Sequence, residues 1–365
     1  LSNIQQGTPS GKPSIAIFLP GWVGDAVMAT PALLALRAAY PGHDLVGIGK
    51  LGPLAVLEGL DLFDHILLGA GGGMDRGTLR VARALRHLKP AKAVLFSNSF
   101  RTALAAWLGG CKHRVGLAMH GRGLLLSEAL KPTTGTDGKR AIFPAMLEYN
   151  RIALAAGSAE PGRIPRLATL PADENAATQV WERAGFGTGP VAILNPGAAF
   201  GQAKFWPRES FAGLARQLAN EGMGVLLLSG PAEAQLGQAI SSDADHPRVH
   251  ALAHSAGPDL SLGLSKACVR RSALLVTTDS GPRHFAHAFG VPVVTLFGPT
   301  HIGWTETWHP RSVHLQKKLD CGPCQKRACP LGHHRCMREL SVQDVLEACH
   351  NLLNGFTSLP LARTG

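Results

Sequence analysis

The sequence predicts two α/β domains in tandem, each a doubly wound parallel sheet. Three observations carry this. Short apolar or β-branched runs alternate with helical stretches along the chain, which is the rhythm of βαβ units. The rhythm weakens once, over residues 161–189, where Pro161, Pro165, Pro171, Gly185, Gly187 and Gly189 crowd together. The chain has 365 residues, 45% of them apolar and 17% charged. That length suits two domains of ordinary size, and the composition argues against a disordered or coiled-coil protein.

The first strand is read at residues 14–19 (SIAIFL), ending at Pro20-Gly21. A tight loop, Gly21 to Asp25, leads into an apolar helix that runs to about Tyr40. Thr30-Pro31 is either the cap and first residue of that helix or the point where Pro31 kinks a helix begun earlier. Pro41-Gly42 stops it, and residues 44–48 form a second strand. Residues 69–73 (GAGGG) lack the Lys-Ser/Thr of a phosphate loop and the spacing of a dinucleotide fingerprint, so they read as a surface loop. A strand at 93–96 and a helix at 102–108 follow. One helix, residues 172–184, interrupts the proline-rich junction. The rhythm then restarts, with strands at 191–194, 224–228, 274–276 and 291–296 and helices at 211–220 and 283–289. No internal repeat is visible. The boundaries read as a disordered leader (1–13), a first Rossmann-like domain (14–170), a second (171–350) and a tail (351–365), with a cleft between the domains.

Lys and Arg outnumber Asp and Glu, 36 to 25, for a net charge of +11. The surplus points to an anionic partner or is simply the charge of a basic enzyme. Nucleic acid is disfavoured, because no basic tract carries interleaved aromatics. No apolar run reaches the roughly 18–20 residues of a membrane span. Residues 1–13 lack the apolar core of a signal peptide. A cytoplasmic protein touching membrane only peripherally is expected.

Three loops carry the candidate chemistry. Residues 20–29 (PGWVGDAVMA) follow the first strand, where open α/β sheets bind ligands. Asp25 there either takes a proton from an attacking hydroxyl or caps the next helix. Residues 195–207 (NPGAAFGQAKFWP) follow the first strand of the second domain. A glycine-containing loop with one lysine, Lys204, suits a diphosphate; a solvated surface lysine is the alternative. Residues 277–286 (TTDSGPRHFA) form a turn that opens a helix, and free N–H groups at a helix start favour an anion. Asp279 and His284 flank that turn, although Ser280, Gly281 and Pro282 are ordinary helix-start chemistry by themselves.

These segments resemble the signatures of the ADP-heptose:lipopolysaccharide heptosyltransferases, glycosyltransferase family 9. The carriers are WVGDAVMA at 22–29, the Phe-Gly-x-Ala-Lys-x-Trp-Pro order ending at Pro207, and Asp279-Ser280-Gly281-x-x-His284-x-Ala286. The first two are similar to the type II branch. Residues 291–300 (VPVVTLFGPT), then Trp304-Thr305-Glu306, are similar to the family's closing segment. The resemblance runs from about Ser14 to Ala348. It implies a GT-B fold, with the acceptor on the first domain and the nucleotide sugar mainly on the second. It implies an inverting transfer that needs no cofactor or metal, from ADP-heptose to the lipid A-linked core oligosaccharide, at the cytoplasmic face of the inner membrane.

Residue by residue, the resemblance makes Asp25 the general base and Lys204 the contact to the leaving diphosphate. Gly197, Asp279, Ser280 and Gly281 fall in the donor site. Glu233 resembles, more loosely, an acidic residue near the donor ribose. His284 matches a donor-site position, with a structural role as the alternative, and Pro282-Arg283 departs from the family's usual apolar pair before it. Gly24, Asp25, Arg101 and Arg122 are expected to meet the acceptor, with Ser97-Asn98-Ser99, Arg114, Lys131, Lys139 and Arg140 nearby. A solvated basic face is the alternative for each of these cations.

Seven cysteines are present, and Cys321, Cys324, Cys329 and Cys336 crowd together around His333 and His334. The odd count is unlike a secreted disulfide framework. The cluster reads as a structural zinc site, with paired disulfides or free thiols as alternatives. Other readings of the whole chain are a related transferase with a different nucleotide sugar or acceptor, a GT-B-fold sugar-nucleotide epimerase, and a non-catalytic binder. Retention of both Asp25 and Lys204 counts against the last.

Overall fold

Among the described residues, twelve short strands, five of them buried end to end, build two parallel sheets. The computed structural model describes residues 11–69, 76–256 and 260–355. Most of the expected leader and tail, and most of the glycine-rich run at 69–73, lie outside those residues. The chain divides into two compact units: Leu1–Ala168 with Gly303–Thr307, and Thr169–Ile302 with Trp308–Gly365.

In the first unit the strands are β1 (Ser14–Phe18), β2 (Asp44–Gly49), β3 (His65–Leu68), β4 (Lys92–Leu95), β5 (His113–Leu117) and β6 (Glu128–Leu130). They lie in the order β3-β2-β1-β4-β5-β6, all parallel. In the second unit they are β7 (Val191–Asn195), β8 (Gly224–Leu227), β9 (Val249–Ala251), β10 (Leu274–Thr278), β11 (Val293–Phe297) and β12 (Ser312–Gln316). Their order, β12-β11-β10-β7-β8-β9, is the same topology repeated. This is the Rossmann order, in which helices cover both faces and the central strands become continuous apolar runs. Ile15, Ala16, Ile17 and Phe18 of β1 are each 2% exposed or less. Burying each large side chain contributes about 1.5–3 kcal/mol.

The strand order reverses between β1 and β4, and again between β7 and β10. Each such switch point leaves a crevice beyond the strands' carboxyl ends. The loops singled out in the sequence follow β1, β7 and β10.

The first helical stretch is two helices, Val23–Met28 and Thr30–Ala39. Thr30 is not the cap. Its hydroxyl donates to the Val27 carbonyl (2.7 Å) and accepts the Arg166 N–H (2.9 Å), while Ala29 occupies the cap position. Pro31 sits in the first turn of the second helix, where its missing N–H costs nothing.

Candidate active site

In the first unit, Asp25 lies in the first turn of the helix Val23–Met28, which begins five residues after the end of β1. Its carboxylate accepts the phenol of Tyr149. Both line a cavity of about 610 Å³ whose walls include Trp22, Lys50, Asn98 and His120. Gly24 is not among the lining residues; it lies one position before Asp25 in the same helical turn.

The two arginines expected to meet an acceptor separate. Arg101 lines the cavity, just after the Ser99 hydroxyl that caps its helix by accepting the Arg101 N–H. Arg122 does not reach the cavity. It is 0% exposed, and its guanidinium donates to the carbonyls of Leu117 (2.7 Å) and Ser97 and to Asn98 Oδ1 (3.2 Å). Burial lowers its pKa to about 10. The expectation of acceptor contact is therefore corrected: Arg122 braces Ser97 and Asn98 from behind. Arg114 is likewise turned onto backbone carbonyls, those of Cys111, Lys112 and Leu125. Arg140 stacks on the Trp304 ring, 4.7 Å from its centroid.

In the second unit, the loop after β7 and the turn after β10 meet through one buried ion pair. The Lys204 ammonium is 2.6 Å from Asp279 Oδ2 and 2.7 Å from the Asp279 carbonyl. Lys204 is thus not a solvated lysine; it is 7% exposed. The Thr300 hydroxyl donates to the same carboxylate (2.7 Å), and the Arg283 guanidinium lies 3.4 Å from its other oxygen. Burial alone would raise the Asp279 pKa, but Lys204, Arg283 and Thr300 outweigh it and hold it at about 2. Two cations therefore converge on one carboxylate beside the start of the helix Pro282–Phe289.

Asn195, at the end of β7, ties the switch point shut, donating to Thr277 Oγ1 and Ser280 Oγ (both 2.9 Å). Thr278 donates to the Gly197 carbonyl (2.7 Å). Glu233 lies directly over Gly197: a methyl there would come within 2.1 Å of its carboxylate. Burial raises the Glu233 pKa, opposed by backbone N–H groups of Ala198 and Gly230 that donate to it. Gly281 occupies the cap position of the helix. His284 is 3% exposed, and burial, then Arg283, drives its pKa well below the usual imidazole value. Its Nδ1 finds no hydrogen-bond partner, so it is a neutral core histidine behind the turn.

The cysteine segment belongs to this unit. All seven cysteines are free thiols, so no disulfide closes the loop. Among the described residues no group of three or more His, Cys, Asp or Glu side chains is placed to hold a metal ion. Cys321 Sγ lies 3.9 Å from His333 Nε2. The segment makes backbone contacts with the loops after β7 and β11. The Arg327 carbonyl accepts the Ala203 N–H (3.1 Å), and the Gln325 N–H donates to the Pro299 carbonyl (2.8 Å). The Phe200 ring carries Lys204 at 4.7 Å and Arg327 at 5.5 Å.

Residues 78–335 match glycosyltransferase family 9 (heptosyltransferase). The chain belongs to that family. It is a glycosyltransferase. It is 26% identical over 352 residues to lipopolysaccharide heptosyltransferase 2 of Salmonella typhimurium, spanning 93% of this chain and 98% of that one. Its fold is similar to that of the Escherichia coli ADP-heptose lipopolysaccharide heptosyltransferase II (TM-score 0.75, 23% identity, 93% of this chain and 98% of the other). It is also similar to E. coli heptosyltransferase WaaC with ADP (TM-score 0.69, 17% identity, 93% and 99%). The two Rossmann-ordered units are those of the GT-B fold.

Of the residues singled out in this family 9 chain, Lys204 and Asp279 meet in an ion pair and Glu233 lies over Gly197, while Tyr149, Asn195 and Thr300, which contact Asp25, Ser280 and Asp279, were given no role in the sequence. Asn195 could have been found, since it opens the second loop at the end of a predicted strand. Tyr149 and Thr300 carry no local signal for their partners. Arg283, noted only as a departure from the family pattern, becomes part of the Asp279 cluster.

Proposed function

We propose that this glycosyltransferase moves a heptose from ADP-heptose to the inner core of lipopolysaccharide, inverting the anomeric centre. The observation that carries the reading is the Asp25 carboxylate, set in a cavity beside the first switch point of a family 9 chain. Asp25 removes the proton from an acceptor hydroxyl as that oxygen bonds to the anomeric carbon. The bond from that carbon to the diphosphate breaks in the same step, and ADP departs. Such base assistance is typically worth about 10²–10⁴-fold.

The second unit receives the donor. Lys204 and the N–H groups at the start of Pro282–Phe289 meet the charge that builds on the leaving diphosphate. Gly197, Asp279, Ser280 and Gly281 shape this site, and Glu233 accepts a ribose hydroxyl. Arg101 and Lys50 suit an acidic or phosphorylated core acceptor. The positive charge the reaction needs comes from these groups. Among the described residues no helix is long and apolar enough to cross a membrane. A lipid-linked acceptor places the enzyme at the cytoplasmic face of the inner membrane, held peripherally.

The test is incubation of purified protein with ADP-heptose and a core oligosaccharide lacking the heptose, read by mass spectrometry and ADP release. Gain of one heptose per acceptor supports the proposal. Donor conversion without acceptor would point to an epimerase. Transfer only from another nucleotide sugar would point to a related transferase.

A further inference from the structure

We propose that Tyr149 is a positioning residue for the transfer reaction, orienting the Asp25 carboxylate through its phenolic hydroxyl. The inference rests on the reading of Asp25 as the base.

Tyr149 lies in the helix Ala145–Ala155 and is 8% exposed. Its ring stands edge-on to Phe96, with centroids 5.7 Å apart at 81°. Phe96 is itself registered to the end of β1, because its N–H donates to the Phe18 carbonyl (3.0 Å). The phenol is thus fixed relative to the strand that leads to Asp25, and it donates to that carboxylate at the wall of the cavity.

The phenol is a one-way donor. Burial, then the Asp25 charge, raises the Tyr149 pKa well above its usual value, and Glu148 adds to this. Arg140 opposes the rise and is outweighed. Glu148 is itself held by Arg151 at 3.0 Å. The other titratable groups facing the cavity are Lys50, Arg101 and His120. Tyr149 therefore keeps its proton through the working range and cannot replace Asp25 as base.

A hydrogen bond donated to a carboxylate favours its ionised form, which is the form a base must have. It also restricts the carboxylate to one orientation, and proton transfer is sensitive to such geometry.

The test is Tyr149→Phe, which keeps the ring and its contact with Phe96 and removes one hydroxyl. Loss of a hydrogen bond to a charged group is expected to lower kcat roughly 10- to 100-fold. The acidic limb of the pH profile should move to higher pH, while KM for the donor stays unchanged. A thermal melt confirms that the variant is folded. An unchanged kcat and acidic limb would overturn the inference and leave Tyr149 as packing only. A lower kcat with an unmoved acidic limb would also overturn it, because a packing defect does not move the titration of the base. Full activity of Asp25→Asn would instead remove the base reading itself, so the two failures are distinguishable.

Discussion

Replacing Lys204 by Met should both weaken donor turnover and destabilise the second unit. A lysine in a loop normally contributes little to stability, but this one is buried against Asp279 at 2.6 Å. Removing one partner of a buried pair costs about 3–5 kcal/mol, because the other charge is left behind. Arg283 and Thr300 still serve Asp279, which places Lys204→Met near the lower end, about 3 kcal/mol. For a unit of this size that is a fall of about 6–12 °C in melting midpoint. Asp279→Asn should cost less, since the lysine keeps the Asp279 carbonyl at 2.7 Å and can extend its ammonium toward water. Calorimetry is the suitable assay, because two units need not melt as one. The double variant should be more stable than the sum of the singles implies, by about 1–3 kcal/mol. Additivity within about 0.5 kcal/mol would refute the coupling. So would a midpoint shift under about 2 °C for Lys204→Met.

Gly197→Ala should raise KM for the donor with little change in kcat, because the new methyl would meet the Glu233 carboxylate at 2.1 Å and displace it; an unchanged KM would count against Glu233 as a donor contact. Thermal stability should fall as pH drops from about 6.5 toward 4.5. Burial, then His309, holds the folded His287 pKa at about 3 against an ordinary 6.5. Its contribution is therefore complete above 6.5 and is lost as the unfolded imidazole takes up its proton. Asp279, with its pKa lowered from 3.8 to about 2, enters only below about pH 4, so a flat midpoint between pH 7 and 4.5 would contradict the histidine account. Thiol titration of the denatured protein should count seven free cysteines, and a chelator should leave the melting midpoint unchanged; release of about one zinc per chain with a falling midpoint would restore the tetrahedral site.

The sheets were legible where strands are continuous apolar runs bounded by Gly and Pro, as at β1, β4, β7 and β10. β3, β6, β9 and β12, all at sheet edges, and β5 beside one, were not, because runs of three to five residues are too short to carry a clear period. The repeated topology left no sequence repeat, since strand order is set by which apolar faces pack and not by residue identity. Asp25, Lys204 and Asp279 were legible because each sits in a loop directly after a predicted strand or opens a helix. Arg122 misled, because whether a basic residue faces solvent or a set of carbonyls depends on chain segments distant in sequence. Tyr149 was hidden for the same reason: on its own helix it reads as one more buried aromatic. The cysteine spacing carried no sign that the backbone of that segment supports the loop bearing Lys204.

The most direct test of the account compares wild type with Asp25→Asn in a single transfer assay, using ADP-heptose and the core acceptor, with donor affinity measured in parallel by calorimetry. Wild type should add one heptose to the acceptor. The variant should bind ADP-heptose as tightly and transfer about 10²–10⁴-fold more slowly. Transfer by Asp25→Asn at the wild-type rate would contradict the claim that Asp25 removes the acceptor's proton.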